Sequence, residues 1–140
     1  MRRKVILDTG PLVALLNRRD RHHEWAKTLW AETEAPLLSC EPVIAEACFL
    51  LRNLGRGPAA VVELVRRGAV TIAFSLRDES AAIVRLLERY SDVPISLADA
   101  CLVRMTELHG DSRVMTADSD FRIYRKHGRR IVPTLMPNFR

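Results

Sequence analysis

The chain has 140 residues, 48% of them apolar and 28% charged, with 7 Pro and 6 Gly; this is the make-up of one globular domain able to bury a core without staples, and it excludes a disordered or low-complexity chain. The formal net charge is +5, and only three of the 22 basic residues are lysines, so an arginine-rich surface is available for phosphate contact, or simply for solvated helix faces. No apolar run reaches the ~18 residues of a membrane span, and the start, Met-Arg-Arg-Lys-Val-Ile-Leu-Asp, lacks a signal-peptide core; a cytoplasmic protein with one domain over residues 1–140 is expected.

Residues 4–8 read as a short buried strand closed by Thr9-Gly10-Pro11, with Pro11 as the first residue of a helix to about Asn17. Asp20 is placed to cap a helix over roughly 21–34, with Trp25, Leu29 and Trp30 on its apolar side. Residues 36–39 are a second strand. Pro42 opens a helix to about Asn53, which Leu54-Gly55-Arg56-Gly57-Pro58 stops, and 58–67 form another helix ending at Gly68. A strand over 70–74 precedes a helix over 77–90, where Ala81, Val84, Leu87 and Leu86, Tyr90 recur at helical spacing. Ser96 begins a helix to about His109, with Gly110 as its stop. Residues 113–116 are a strand, a loop or short helix follows through Phe121 and Tyr124, and Arg130-Ile131-Val132 is a last strand. Alternating strands and helices predict an α/β fold with a mainly parallel sheet. Ligands of such sheets bind beyond the strand carboxyl ends, where Asp8, Thr116 and Asp118 fall.

Three carboxylates stand alone in apolar runs. Asp8 is the only charge between Lys4 and Arg18, Glu46 the only one between Glu41 and Arg52, and Asp99 the only one between Asp92 and Arg104. A buried, ionised carboxylate costs several kcal/mol, unless it is paired or holds a cation. Each also has an ordinary explanation. Asp8 can cap the first helix, and Ser96-Leu97-Ala98-Asp99 fits a capping box. Glu46 can lie on a wet helix face, although the run around it leaves little room for one. Asp118 and Asp120, in Thr116-Ala117-Asp118-Ser119-Asp120-Phe121, can be loop residues. Acids gathered at strand ends and on inward helix faces would repel unless a cation neutralised them. Oxygen ligands favour Mg²⁺ or Mn²⁺ over zinc, and such ions polarise phosphate esters and activate water to attack them.

His22, His23, His109 and His127 fall in polar or loop contexts and are expected in solvent. Cys40, Cys48 and Cys101 form no Cys-x-x-Cys pair and are expected as reduced thiols. Asp8-Thr9-Gly10 matches the aspartic-protease triplet, but that chemistry needs two copies in an all-β fold. Phosphoryl transfer with Asp8 as nucleophile lacks an obvious lysine partner. A silent RNA- or protein-binding module would be betrayed by a missing acid, and none is missing.

Val-Ile-Leu-Asp-Thr-Gly-Pro-Leu-Val-Ala-Leu-Leu at the start, Glu46 in an apolar helix, Ser-Leu-Ala-Asp-Ala at 96–100 and Thr-Ala-Asp-Ser-Asp-Phe at 116–121 together resemble the PIN domain, and more closely the VapBC-type toxin nucleases of bacteria and archaea. The resemblance spans essentially the whole chain. It implies an α/β/α sandwich and a Mg²⁺- or Mn²⁺-dependent endoribonuclease. It implies a metal pocket from Asp8, Glu46, Asp99 and Asp118, with Thr116 in support and Asp120 as a further ligand. It also implies a homodimer and a small antitoxin that reaches into the acidic pocket. Under this reading Asp8 and Asp99 anchor the metal, and Glu46 and Asp118 complete the site or orient the attacking water. Arg18, Arg19, Arg21, Arg125, Lys126, Arg129 and Arg130 are then candidates for contact with substrate phosphates.

Overall fold

The computed structural model describes residues 3–138. Five parallel strands form the central sheet: β1 (Lys4–Leu7), β2 (Leu37–Ser39), β3 (Val70–Ile72), β4 (Ser112–Met115) and a last strand at Thr134–Leu135. Their order is β3-β2-β1-β4 followed by that last strand. The chain therefore moves outward from β1 in one direction and then returns to build the other side. This reversal puts the topological switch between β1 and β4, where Lys4 to Leu7 pair in register with Ser112 to Met115. Both strands end in buried apolar residues; Ile6, Leu7, Val114 and Met115 are fully buried.

Six helices complete an α/β/α sandwich: α1 (Thr9–Leu16), α2 (His23–Glu32), α3 (Glu41–Leu50), α4 (Gly57–Arg66), α5 (Leu76–Arg89) and α6 (Leu97–Leu108). α6 lies along β1 and β4 with α5 against it, while α1 packs on α2, α3 and α4. α6 is buried on most sides because Ala98, Ala100, Cys101, Leu102, Val103 and Met105 all meet neighbours. Gly57 opens α4 at a place where a Cβ would overlap the Leu51 carbonyl.

The structure shifts several predicted boundaries. α1 starts at Thr9 rather than Pro11; a proline is tolerated in the first turn, where its missing N–H would be unpaired anyway. α2 starts at His23 without a side-chain cap, and Asp20 instead accepts from the His22 backbone N–H at 2.8 Å in a local turn. α3 ends at Leu50, because 51–56 already turn toward α4. Residues 130–132 are not a strand of the main sheet. Arg130–Ile131 (β6) pairs antiparallel with Arg125–Lys126 (β5) as a two-stranded hairpin, and Thr134–Leu135 (β7) takes the outer place beside β4. Short strands with little periodicity leave such a choice to tertiary contacts.

Candidate active site at the carboxyl ends of β1 and β4

Asp8 follows the last residue of β1, and its backbone N–H donates to the Met115 carbonyl at 3.0 Å, which ties the ends of β1 and β4 together. The side chain is 5% exposed. One carboxylate oxygen accepts from the Thr9 backbone N–H at 2.7 Å, so Asp8 does cap α1. The other accepts from the Thr116 hydroxyl at 2.7 Å. Burial raises the Asp8 carboxyl from 3.8 to about 7, against the pull of those two bonds, and the charges of Asp99 and Asp118 push the same way.

Asp99 stands in the first turn of α6. Ser96 caps that helix by accepting from the Asp99 backbone N–H at 3.0 Å. The reciprocal half of the capping box does not form as expected: the Asp99 carboxylate takes the Tyr124 hydroxyl at 2.9 Å. Burial raises Asp99 to about 6, and the charges of Asp118 and Glu46 add to this. Asp118 caps a 3₁₀ turn at Ser119–Arg122 by accepting from the Asp120 N–H at 2.9 Å, while its own N–H donates to the Thr116 hydroxyl at 2.9 Å. Thr116, fully buried at the end of β4, thus links Asp8 to the loop that carries Asp118.

Glu46 departs from the expectation. The inward stripe of α3 is Val43, Ala47 and Leu51, and Glu46 lies on the exposed side with Ala45, Phe49 and Leu50. The apolar run misled because α3 leaves much of its apolar surface uncovered. Glu46 is nevertheless tied to the site, since the Thr9 hydroxyl donates to its carboxylate at 2.9 Å. Asp8 and Glu46 are therefore bridged by the backbone N–H and side chain of one residue, Thr9.

The four acids are linked electrostatically, since the charges of Asp99 and Asp118 raise Asp8 and those of Asp118 and Glu46 raise Asp99. Among the described residues, no three acidic, His or Cys side chains stand as a ready-made ion cage. The donor set is oxygen-only, and the groups that donate to the Asp8, Glu46 and Asp99 carboxylates are a backbone N–H and hydroxyls rather than basic side chains, which fits a hard divalent ion rather than zinc.

The basic candidates divide. Arg18, Arg19 and Arg21 are exposed after α1, and Arg129 and Arg130 are exposed on the β5–β6 hairpin, where they line a shallow hollow with His127 and Gly128. Arg125 and Lys126 are engaged elsewhere. The Arg125 guanidinium donates to the carbonyls of Arg122, Ile123 and Tyr124, and Lys126 is buried with its Nζ 3.4 Å from the Gly110 carbonyl. His23 is half-buried rather than solvated, its Nδ1 2.7 Å from the Ala14 carbonyl. Cys40 and Cys101 are buried free thiols behind the site. Among the described residues, no helix is long and apolar enough to cross a membrane.

The PIN domain family model matches residues 5–127. The chain belongs to the PIN domain family. Its fold is similar to the crystal structure of Mycobacterium tuberculosis VapC20, a toxin described as cleaving the sarcin-ricin loop, with a TM-score of 0.72 and 24% identity over 79% of this chain and 87% of that one. No curated protein matches the chain at a significant level. Two polar residues of this PIN domain escaped sequence reading. Thr9 was read only as a turn residue, and Tyr124 only as part of a loop; the hydroxyl next to Asp8 was the one available signal.

Proposed function

We propose that this PIN domain, taken as one domain over residues 1–140, is a divalent-metal-dependent endoribonuclease that hydrolyses RNA phosphodiesters, and that it is the toxin of a toxin–antitoxin pair. The observation that carries the reading is the electrostatic linkage of buried carboxylates beyond the ends of β1 and β4: Asp8 is raised by burial with Asp99 and Asp118 adding to it, and Asp99 by burial with Asp118 and Glu46 adding to it. The family and the likeness to a toxin that cleaves RNA support it. Mg²⁺ or Mn²⁺ would be held by Asp8 and Asp99, with Glu46, Asp118 and Asp120 completing the set; when bound, the ion supplies positive charge for the scissile phosphate and lowers the pKa of water.

The chain's own residues do the rest. The Thr9 N–H and the Thr116 hydroxyl fix both oxygens of Asp8, so the carboxylate is oriented before any ligand arrives. Glu46, at the solvent rim, is the carboxylate placed to take a proton from incoming water. Arg18, Arg19, Arg21, Arg129 and Arg130 are the side chains available to the RNA backbone, in keeping with the net charge of +5.

Phe49 and Leu50 on α3, Leu54 in the turn after it and Val62 on α4 are exposed, the first two within four residues of Glu46. An apolar surface of this kind suits a protein partner, and we assign it to a second copy or to the antitoxin. A cytoplasmic location accords with an RNA substrate. The test is incubation of the purified chain with total cellular RNA in Mn²⁺, in Mg²⁺ and in EDTA. Discrete fragments in either metal and none in EDTA support the proposal; intact RNA from a folded, antitoxin-free protein rejects it.

A further inference from the structure

We propose that Tyr124 is a positioning residue for the metal site, holding the Asp99 carboxylate in its ligating orientation through the hydrogen bond to Asp99 Oδ2. The inference rests on the reading of Asp99 as a metal ligand, and it adds a residue that is not itself an acid, just past the turn that carries Asp118 and Asp120. Asp99 hangs from the first turn of α6, and its backbone N–H is spent on the Ser96 cap. Nothing in that cap fixes rotation of the carboxylate. The Tyr124 hydroxyl does so from 25 residues away, at 2.9 Å and in a buried setting.

Tyr124 cannot itself swing. It is fully buried, the ring of Phe121 meets it edge-on at 5.2 Å, and the ring of Tyr90 does the same at 5.3 Å. The Tyr90 hydroxyl accepts from the Arg125 backbone N–H at 2.9 Å, which pins the chain immediately after Tyr124. A donor on one oxygen of a ligating carboxylate leaves the remaining lone pairs aimed at the ion, and loss of such partners weakens metal affinity by roughly 10–100-fold.

Mn²⁺ affinity is measured by calorimetry on the metal-free wild type, Tyr124→Phe, Tyr90→Phe and Asp99→Asn, with circular dichroism and Tm as checks of folding. Tyr124→Phe keeps the ring packing and should weaken Mn²⁺ binding about 10-fold or more. It should also lower kcat on RNA with little change in KM. Tyr90→Phe should lower Tm while leaving the Mn²⁺ Kd within about twofold, because it touches the fold and not the carboxylate. If Asp99→Asn abolishes binding while Tyr124→Phe stays within twofold of wild type, the inference falls and the metal site stands. If the wild type binds no Mn²⁺, both fall. A second reading needs no variant: saturating Mg²⁺ should perturb the tyrosine ultraviolet difference spectrum of the wild type, and an unmoved spectrum would overturn the inference.

Discussion

Asp8→Asn should change the pH dependence of stability in a defined direction. In the metal-free fold the Asp8 carboxyl is raised from 3.8 to about 7. A folded-state value above the unfolded one means that the folded chain binds more protons. The associated stability is fully present below about pH 4 and is lost as pH rises through about 7. At about 1.4 kcal/mol per pH unit, Asp8 alone removes about 3 kcal/mol between pH 5 and pH 8. Asp99, raised to about 6, acts in the same sense. Asparagine cannot ionise, so the variant lacks the Asp8 part of this slope. Its amide must share the Thr116 oxygen that already accepts from Asp118, a loss of about 1 kcal/mol that does not vary with pH. Relative to wild type, Asp8→Asn should therefore gain about 3 kcal/mol between pH 5 and pH 8, or ~10 °C in Tm for a chain of this size. Thermal and urea denaturation in EDTA across that range measure it. Stabilities of the two proteins that move in parallel with pH would refute the account of Asp8 as a buried, cation-lacking carboxylate.

Other consequences follow from the same geometry. Divalent-ion binding should release protons below pH 7, because Asp8 and Asp99 are then partly protonated; calorimetry in two buffers of different ionisation enthalpy reads this, and a buffer-independent heat contradicts it. Thr116→Ala removes the donor to Asp8 and the acceptor for the Asp118 N–H, and should weaken Mn²⁺ binding by roughly 10–100-fold, with Thr116→Ser restoring most of it. Charge reversal of Arg129 and Arg130 together should weaken RNA binding and flatten its slope against log salt by about 1.4, while Lys126→Ala should lower Tm, since that ammonium is buried against Gly110; an unchanged slope removes the hairpin from the footprint.

Much of the fold and part of the candidate site are legible in the sequence. Asp8, Thr116 and Asp118 announced themselves by falling where strands end, and a parallel sheet places its site there whatever its other details. Asp99 was visible as a charge in an apolar run, and its burial in α6 follows from the small and apolar residues around it. Glu46 was found for a reason that does not hold. Its neighbours are apolar, yet they face outward, and a single sequence does not say which apolar stripe of a helix meets the core. The last strand of the sheet falls at Thr134–Leu135 rather than at 130–132, where Arg130–Ile131 belongs to the hairpin, because two-residue strands have no period to read. Lys126 and Tyr124 were opaque for a related cause. A basic side chain in a charged run looks solvated until a carbonyl is found at its tip, and a loop tyrosine looks like packing until its hydroxyl meets an acid.

The most direct test of the central claim is the chemistry of the ends left on RNA by wild type and by Asp99→Asn in Mn²⁺. Hydrolysis by activated water leaves linear phosphate and hydroxyl ends, and the nearly isosteric variant should leave the RNA intact. A 2′,3′-cyclic phosphate, or cleavage that survives both Asp99→Asn and EDTA, would mean that the 2′-hydroxyl or some other group performs the reaction and that the acidic pocket is not the active site.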